Sequence, residues 1–245
     1  MDSFLWESNE KRWFEAARRR VSVRRFAGHP TSEQLNTLAA LAEKLSRGGV
    51  RIVVFSPEGR VFRRSFCDVG HGAAFVLSAD TPDWCAGYLG EAFILECTAQ
   101  ELGCCWLSDT YKKKQALRAI GLREGERLRA VTPIGLPAKG TLPPVSDDDR
   151  QRRTIPKLTG LSDSAFEELP AWQRNSILCM RSAPSGRNKQ PWFVRPSSGG
   201  FLLATKKTSL ETGIAMFHLE VAAVAHGKHG RWSEETDGRK FSIDA

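Results

Sequence analysis

The sequence predicts an internally duplicated α+β protein built around one core. Three observations carry that expectation. Helical-period and strand-like segments alternate along the chain. Apolar runs of strand length flank turn-forming residues, as at Ser56-Pro57-Glu58-Gly59 and Ser197-Ser198-Gly199-Gly200. Finally, Glu96…Ala99…Gly103 before Trp106 is echoed, the first three at a constant offset, by Glu220…Ala223…Gly227 before Trp232. The expected boundaries are 8–137 for the first half, 138–164 for a linker and 165–245 for the second half.

The first half opens with a helix over residues 8–20, capped by Ser8, with Trp13, Phe14, Ala16 and Ala17 on its apolar side. Pro30-Thr31-Ser32-Glu33 starts a second helix that carries Leu35, Leu38, Ala42 and Leu45 in period and ends at Gly48-Gly49. Residues 50–55 and 61–66 are expected to pair as a hairpin, and 73–77 to form another strand. The clearest helix covers 88–103, with Ala92, Phe93, Leu95, Glu96, Ala99 and Leu102 in period and Gly103 placed to stop it. A tight loop at 104–109, a short helix at 112–120 and a strand at 128–136 complete this half. A polar linker over 137–153 holds Pro143-Pro144, three aspartates, Arg150, Arg152 and Arg153. The second half repeats the scheme in shorter form: a helix at 165–180, a hairpin of 192–195 with 201–205, a helix at 213–225 and a strand at 240–243.

Composition sets the class. In 245 residues, 41% hydrophobic and 26% charged content is ordinary for a soluble globular chain. No apolar run approaches the ~18 residues of a membrane helix, and the acidic, Trp-bearing start is unlike a signal peptide. The expectation is a cytoplasmic protein with no membrane partner. Six cysteines (67, 85, 97, 104, 105 and 179) include no CxxC pair and sit mostly in apolar runs, so they read as reduced structural thiols. The net charge of +8 permits a nucleic-acid partner. Interleaved aromatics and a recognised binding motif are both missing, so no nucleic-acid partner is expected. Much of the excess is local: residues 11–25 hold seven Lys or Arg against Glu15 alone.

That cluster contains the first candidate site. From Arg20 the pattern alternates, placing Arg20, Ser22 and Arg24 on one face of an extended segment. Two guanidiniums flanking a hydroxyl suit phosphate oxygens; the same residues also read as a solvated basic surface. The second candidate is Arg181-Ser182-Ala183-Pro184-Ser185-Gly186-Arg187-Asn188-Lys189-Gln190-Pro191-Trp192. It is longer than a helix-to-strand connection of ~2–6 residues needs to be. Ser185, Asn188 and Gln190 give it hydrogen-bonding side chains that could close over a planar polar ring; a plain solvated turn is the other reading. Other residues are set aside. His226 and His229 have near-ligand spacing without partners, His218 lies on an apolar helix, and Cys104-Cys105 ends one. Trp172, Trp192 and Trp232 read as core.

The two candidate stretches carry a family resemblance. Arg20-Val21-Ser22-Val23-Arg24-Arg25-Phe26 resembles the Arg-x-Ser-x-Arg/Lys signature of the nitroreductase family of flavoproteins. Ala183–Trp192 is similar to that family's Pro-Ser-x-x-Asn-x-Gln-Pro-Trp loop. Glu101-Leu102-Gly103-Cys104-Cys105-Trp106-Leu107 and Val131-Thr132-Pro133-Ile134-Gly135-Leu136-Pro137 match less specifically. The resemblance implies a mixed, mostly antiparallel sheet packed between helices, with FMN as cofactor and NADH or NADPH as reductant. It further implies ping-pong reduction of nitro, quinone or related small-molecule acceptors. Arg20, Ser22 and Arg24 would hold the FMN phosphate, joined by Arg152 or Arg153. Pro184, Ser185, Gly186, Asn188 and Gln190 would reach the ring edge or ribityl chain, and Trp106-Leu107-Ser108 would lie against the ring. No side chain need act as acid or base, since the cofactor carries the chemistry.

The motif order departs from the family pattern. In ordinary members the Pro-Ser loop follows the first long helix, and two subunits share two sites. Here that place holds Leu45-Ser46-Arg47-Gly48-Gly49-Val50-Arg51, and the second half lacks an Arg-x-Ser-x-Arg segment. This resembles the branch in which one chain mimics the dimer, and implies one composite site, at most one FMN and a monomer. Two other readings stand beside this one: a catalytically silent flavin-binding or regulatory module of the same fold, and a nucleic-acid-binding protein.

Overall fold

The structure, a computed structural model, describes residues 9–57, 59–62, 69–140 and 151–244. The expected cap Ser8, most of the 61–66 strand, and Pro143-Pro144 with the aspartates and Arg150 lie outside them. The chain forms two units: Arg19–Pro144, and Met1–Arg18 together with Val145–Ala245.

In the first unit, α2 (Ser32–Leu45) begins at a complete capping box, with Thr31 Oγ1 accepting from Gln34 N and the Gln34 side chain accepting from Thr31 N. Its buried face is Leu38, Ala42 and Leu45, as the periodicity predicts. Gly48 and Gly49 then turn the chain with φ of 55° and 78°. β2 (Val50–Phe55) follows, but its partner is β3 (His71–Ser78), in antiparallel register from Val50↔Leu77 to Phe55↔Gly72. The expected hairpin with 61–66 is therefore corrected. Phe62 bridges Tyr111 instead, and the fully buried run 73–77 takes the central place that its apolarity demands. The sheet runs β1 (Phe26–Gly28), β5 (Glu126–Pro137), β3, β2, with β4 (Gly103–Cys104) also on β5, and every ladder is antiparallel.

α3 (Asp83–Ala99) is buried at every residue from Ala86 to Cys97, which makes it a core helix rather than an amphipathic one. Gly103 does not stop it. The helix ends at Ala99 and the left-handed turn falls on Glu101, at φ 61°. Gly103 has a different reason to be glycine: a Cβ there would come within 2.7 Å of the Val23 side chain. The expected tight loop at 104–109 contains the end of β4 and a backbone bridge between Leu107 and Val131. α4 (Lys113–Ile120) closes on Gly121 at φ 57°.

The second unit gathers α1 (Glu10–Arg19) with the C-terminal segment. Trp13 packs on Phe217 at 5.9 Å between ring centroids, and Ser182 donates to Ala17 O at 3.3 Å. The sequence boundaries had assigned that helix to the first half, and they treated as linker a stretch containing α5 (Ile155–Thr159). The single helix expected at 165–180 is two, α6 (Asp163–Glu167) and α7 (Ala171–Ser182), because Pro170 cannot donate within a helix and becomes the cap of the second. β6 (Trp192–Ser197) and β7 (Gly200–Thr205) form the expected hairpin. α8 (Leu210–Ala225) is buried throughout residues 212–224. A strand the sequence pattern missed, β8 (Gly230–Glu235), joins β9 (Gly238–Ile243) to complete the order β6-β7-β9-β8, all antiparallel. No helix among the described residues is long and apolar enough to cross a membrane.

Candidate functional site

Each unit carries one of the two polar stretches. In the first, residues 20–24 run beside β4: Ser22 bridges Cys104 in parallel sense, and Val23 N donates to Cys104 O at 2.9 Å. The close approach of Val23 to Gly103 fixes this segment against the start of the strand. Arg20 does not stand on an open face as simple alternation predicts. It is 3% exposed, with Nε 3.7 Å from Glu91 Oε1 and no hydrogen-bond partner for that Nε among the described residues. Burial lowers its guanidinium pKa from the ordinary value, and Glu91 opposes the shift. Arg24 is exposed and bonds its own turn at Ser22 O, at 3.2 Å.

The three side chains nonetheless converge on one neighbour. Burial raises the Cys105 thiol, while Arg24, Arg20 and a hydrogen bond with Ser22 all pull it the other way. Both vicinal thiols are buried and free, in keeping with the structural reading.

Glu91 is the residue sequence reasoning missed. It also accepts from Trp106 Nε1 at 2.7 Å, so one buried carboxylate positions both the basic segment and the 106–108 loop. A carboxylate amid the apolar period of α3 was the available signal. Trp106 packs against Phe75 in a tilted pair, with 4.3 Å between ring centroids and 33° between planes. Leu107 exchanges both backbone hydrogen bonds with Val131, so its amide is already engaged; Ser108 is exposed and its hydroxyl accepts from Arg129 at 3.3 Å.

In the second unit the loop after α7 is braced by its own polar groups. Ser185 Oγ accepts from Gln190 N at 2.8 Å. Gln190 is buried; its Oε1 accepts from Arg153 N, and its Nε2 donates to Gln151 O and Asn188 O. Arg152 donates to Ser182 O, Ala183 O and Asn188 Oδ1, at 2.8, 2.8 and 2.9 Å, tying the helix end to the loop. Arg153 reaches Lys189 O at 3.0 Å. The guanidiniums of Arg152 and Arg153, expected at a phosphate, thus hold loop carbonyls.

This bracing supports backbone that would otherwise relax: Arg187, Asn188 and Gln190 have φ of 53°, 55° and 47°. Pro184 is buried, whereas Gly186, Arg187 and Asn188 are exposed and give the loop its reachable edge. The residues set aside earlier keep their bland roles: His218 is buried with Nδ1 3.0 Å from Cys179 O, and His226 is held by Asn175 and Ala222 O.

The first unit thus sets a buried carboxylate behind a basic strand edge, and the second carries a strained, braced loop between helix and strand, in a protein of mixed helix and antiparallel sheet. The family follows from comparison. The model described as "Putative TM nitroreductase" matches residues 12–223, and the chain belongs to the nitroreductase family of oxidoreductases. A solved structure described as a putative nitroreductase from Thermotoga maritima is 19% identical, with 99% of this chain and 98% of that chain covered and a TM-score of 0.64. A putative nitroreductase in complex with FMN, from Desulfovibrio desulfuricans, is 19% identical over 60% of this chain and 94% of its own, with a TM-score of 0.46. A putative NADH dehydrogenase/NAD(P)H nitroreductase from Bacteroides thetaiotaomicron is 14% identical over 58% of this chain and 96% of its own, with a TM-score of 0.45. No curated protein matches the sequence.

Proposed function

We propose that this protein is an FMN-dependent oxidoreductase that uses NADH or NADPH to reduce nitro, quinone or related small-molecule acceptors with ping-pong kinetics. The observation that carries the reading is the buried guanidinium of Arg20, whose Nε–H lacks a hydrogen-bond acceptor among the described residues, next to Ser22 and exposed Arg24. A guanidinium with one unmatched N–H, a hydroxyl and a second cation form a donor set that fits a phosphate monoester. Bound FMN would supply the relay of hydride and electrons between reductant and acceptor.

The chain's own residues do the holding. Glu91 fixes Arg20 and Trp106 together. The exposed turn at Gly186–Asn188 offers the contacts to the ring edge or ribityl chain, while Gln190, Arg152 and Arg153 keep that turn in its strained form. From the 106–108 loop, any backbone contact falls to Trp106 or Ser108, since Leu107 is already engaged by Val131. We read the chain as a monomer that holds one FMN.

The test is Ser22→Ala with Arg24→Ala. Neither residue is fully buried, so the fold should persist while the FMN dissociation constant rises about tenfold or more. Unchanged FMN affinity would mean that the phosphate sits elsewhere.

A further inference from the structure

The β6–β7 hairpin borders a groove of about 920 Å³ that lies wholly within the second unit. Arg153, Lys189, Lys206 and Lys207 line it, and among the described residues no acidic side chain does. Exposed lysines alone would be a solvated patch. What lies behind them is different. Two of the lining residues, Trp192 and Thr205, bury polar atoms, Nε1 and Oγ1, with no hydrogen-bond partner among the described residues. They belong to residues directly opposite each other in the ladder, and Trp192 is only 2% exposed.

An indole N–H can only donate, so this point of the wall calls for an acceptor oxygen; the neighbouring hydroxyl can donate or accept. Buried groups left unmet cost free energy that an entering acceptor recovers. Pro191 and Phe193 add an apolar wall, and the volume falls within the ~300–1,000 Å³ usual for small-ligand sites.

We propose that this groove binds a nucleoside diphosphate. Four cations call for more than one phosphoryl group, the apolar wall takes the base, and a ligand oxygen accepts from Trp192 Nε1. The proposal does not depend on the flavin reading, because the assay below reads heat of binding and needs no flavin.

The experiment is titration calorimetry of the full chain with ADP, pyrophosphate and adenosine in turn, with flavin content recorded. ADP should bind, more weakly as salt rises, with pyrophosphate and adenosine each about tenfold weaker or worse. Lys206→Glu with Lys207→Glu should weaken ADP about tenfold or more and leave flavin content unchanged. Thr205→Val should weaken ADP about three- to tenfold yet raise Tm, because it removes a buried hydroxyl that has no partner. Absence of ADP binding overturns the proposal. So does pyrophosphate binding as tightly as ADP, which would make the groove a bare anion site. Loss of flavin from the charge-reversed variant overturns a separate ligand, and normal ADP affinity in Thr205→Val removes the orphaned pair from the argument.

Discussion

Arg20 shows how burial changes what a residue is worth. An exposed ion pair contributes little, but Arg20 and Glu91 are 4% and 0% exposed along their side chains. Removing one partner would leave the other charge buried, so Arg20→Ala should destabilise by about 3–5 kcal/mol in urea denaturation. Arg20→Met combined with Glu91→Gln should recover much of that loss. Arg24→Ala, at an exposed position, should cost under about 0.5 kcal/mol. Glu126 makes a pH-dependent contribution to stability. Hydrogen bonds from Arg51 hold its carboxyl at about 2, against an ordinary 4.5. The depressed value means that the stabilisation is full above about 4.5 and is lost as pH falls toward 2. The stability gap between wild type and Arg51→Leu should therefore be widest near neutral pH and close across that window.

At the scale of elements, two features tie local backbone to the candidate site. Gly103→Ala would drive a Cβ against Val23 and displace the segment that carries Ser22 and Arg24. Overpacking of this kind typically costs about 1–3 kcal/mol. Pairing the change with Val23→Ala should restore part of the loss, and failure of that rescue would relocate the strain. In the loop, Gln190→Ala removes a buried side chain that holds Arg153 N, Gln151 O and Asn188 O, and should cost about 1–3 kcal/mol.

The existence of the long helices and of the β6–β7 hairpin was legible because periodicity and Ser-Gly turn chemistry report directly on local backbone. The partner of β2 was not, because antiparallel pairing across 15 or so intervening residues leaves no local mark and the apolar run 61–62 competed for it. β8 was missed because its burial pattern is almost wholly exposed, which gives no hydrophobic signal. At the site, residue types were legible and their partners were not: Gln190 and Arg152 read as ligand contacts by chemistry, but they hydrogen-bond the loop and the 151–153 segment beside it.

Across the whole molecule, the faint repeat in the sequence has a counterpart in topology. In the first unit β2, β3 and β5 are neighbours in that order, with β4 on β5; in the second, β6, β7 and β9 follow the same order, with β8 on β9. Each pair of strands is preceded by a helix and followed by a long buried one, α3 or α8. In both units an indole N–H is spent on a carboxylate of that buried helix, Trp106 on Glu91 and Trp232 on Glu220. The echoed residue Glu96 accepts instead from Gln100 Nε2. This parallel, with one Arg-x-Ser-x-Arg stretch and one Pro-Ser stretch in the sequence, supports the proposed monomer with a single FMN, and light scattering should return a mass near 27.2 kDa.

Flavin content and its response to reductant decide whether this protein is an FMN-dependent oxidoreductase. The purified protein should carry FMN, or take it up, at one per chain, and an anaerobic titration should bleach it with one equivalent of NADH or NADPH. A colourless protein that does not bind added FMN, or a bound FMN that neither nucleotide reduces, would contradict the account.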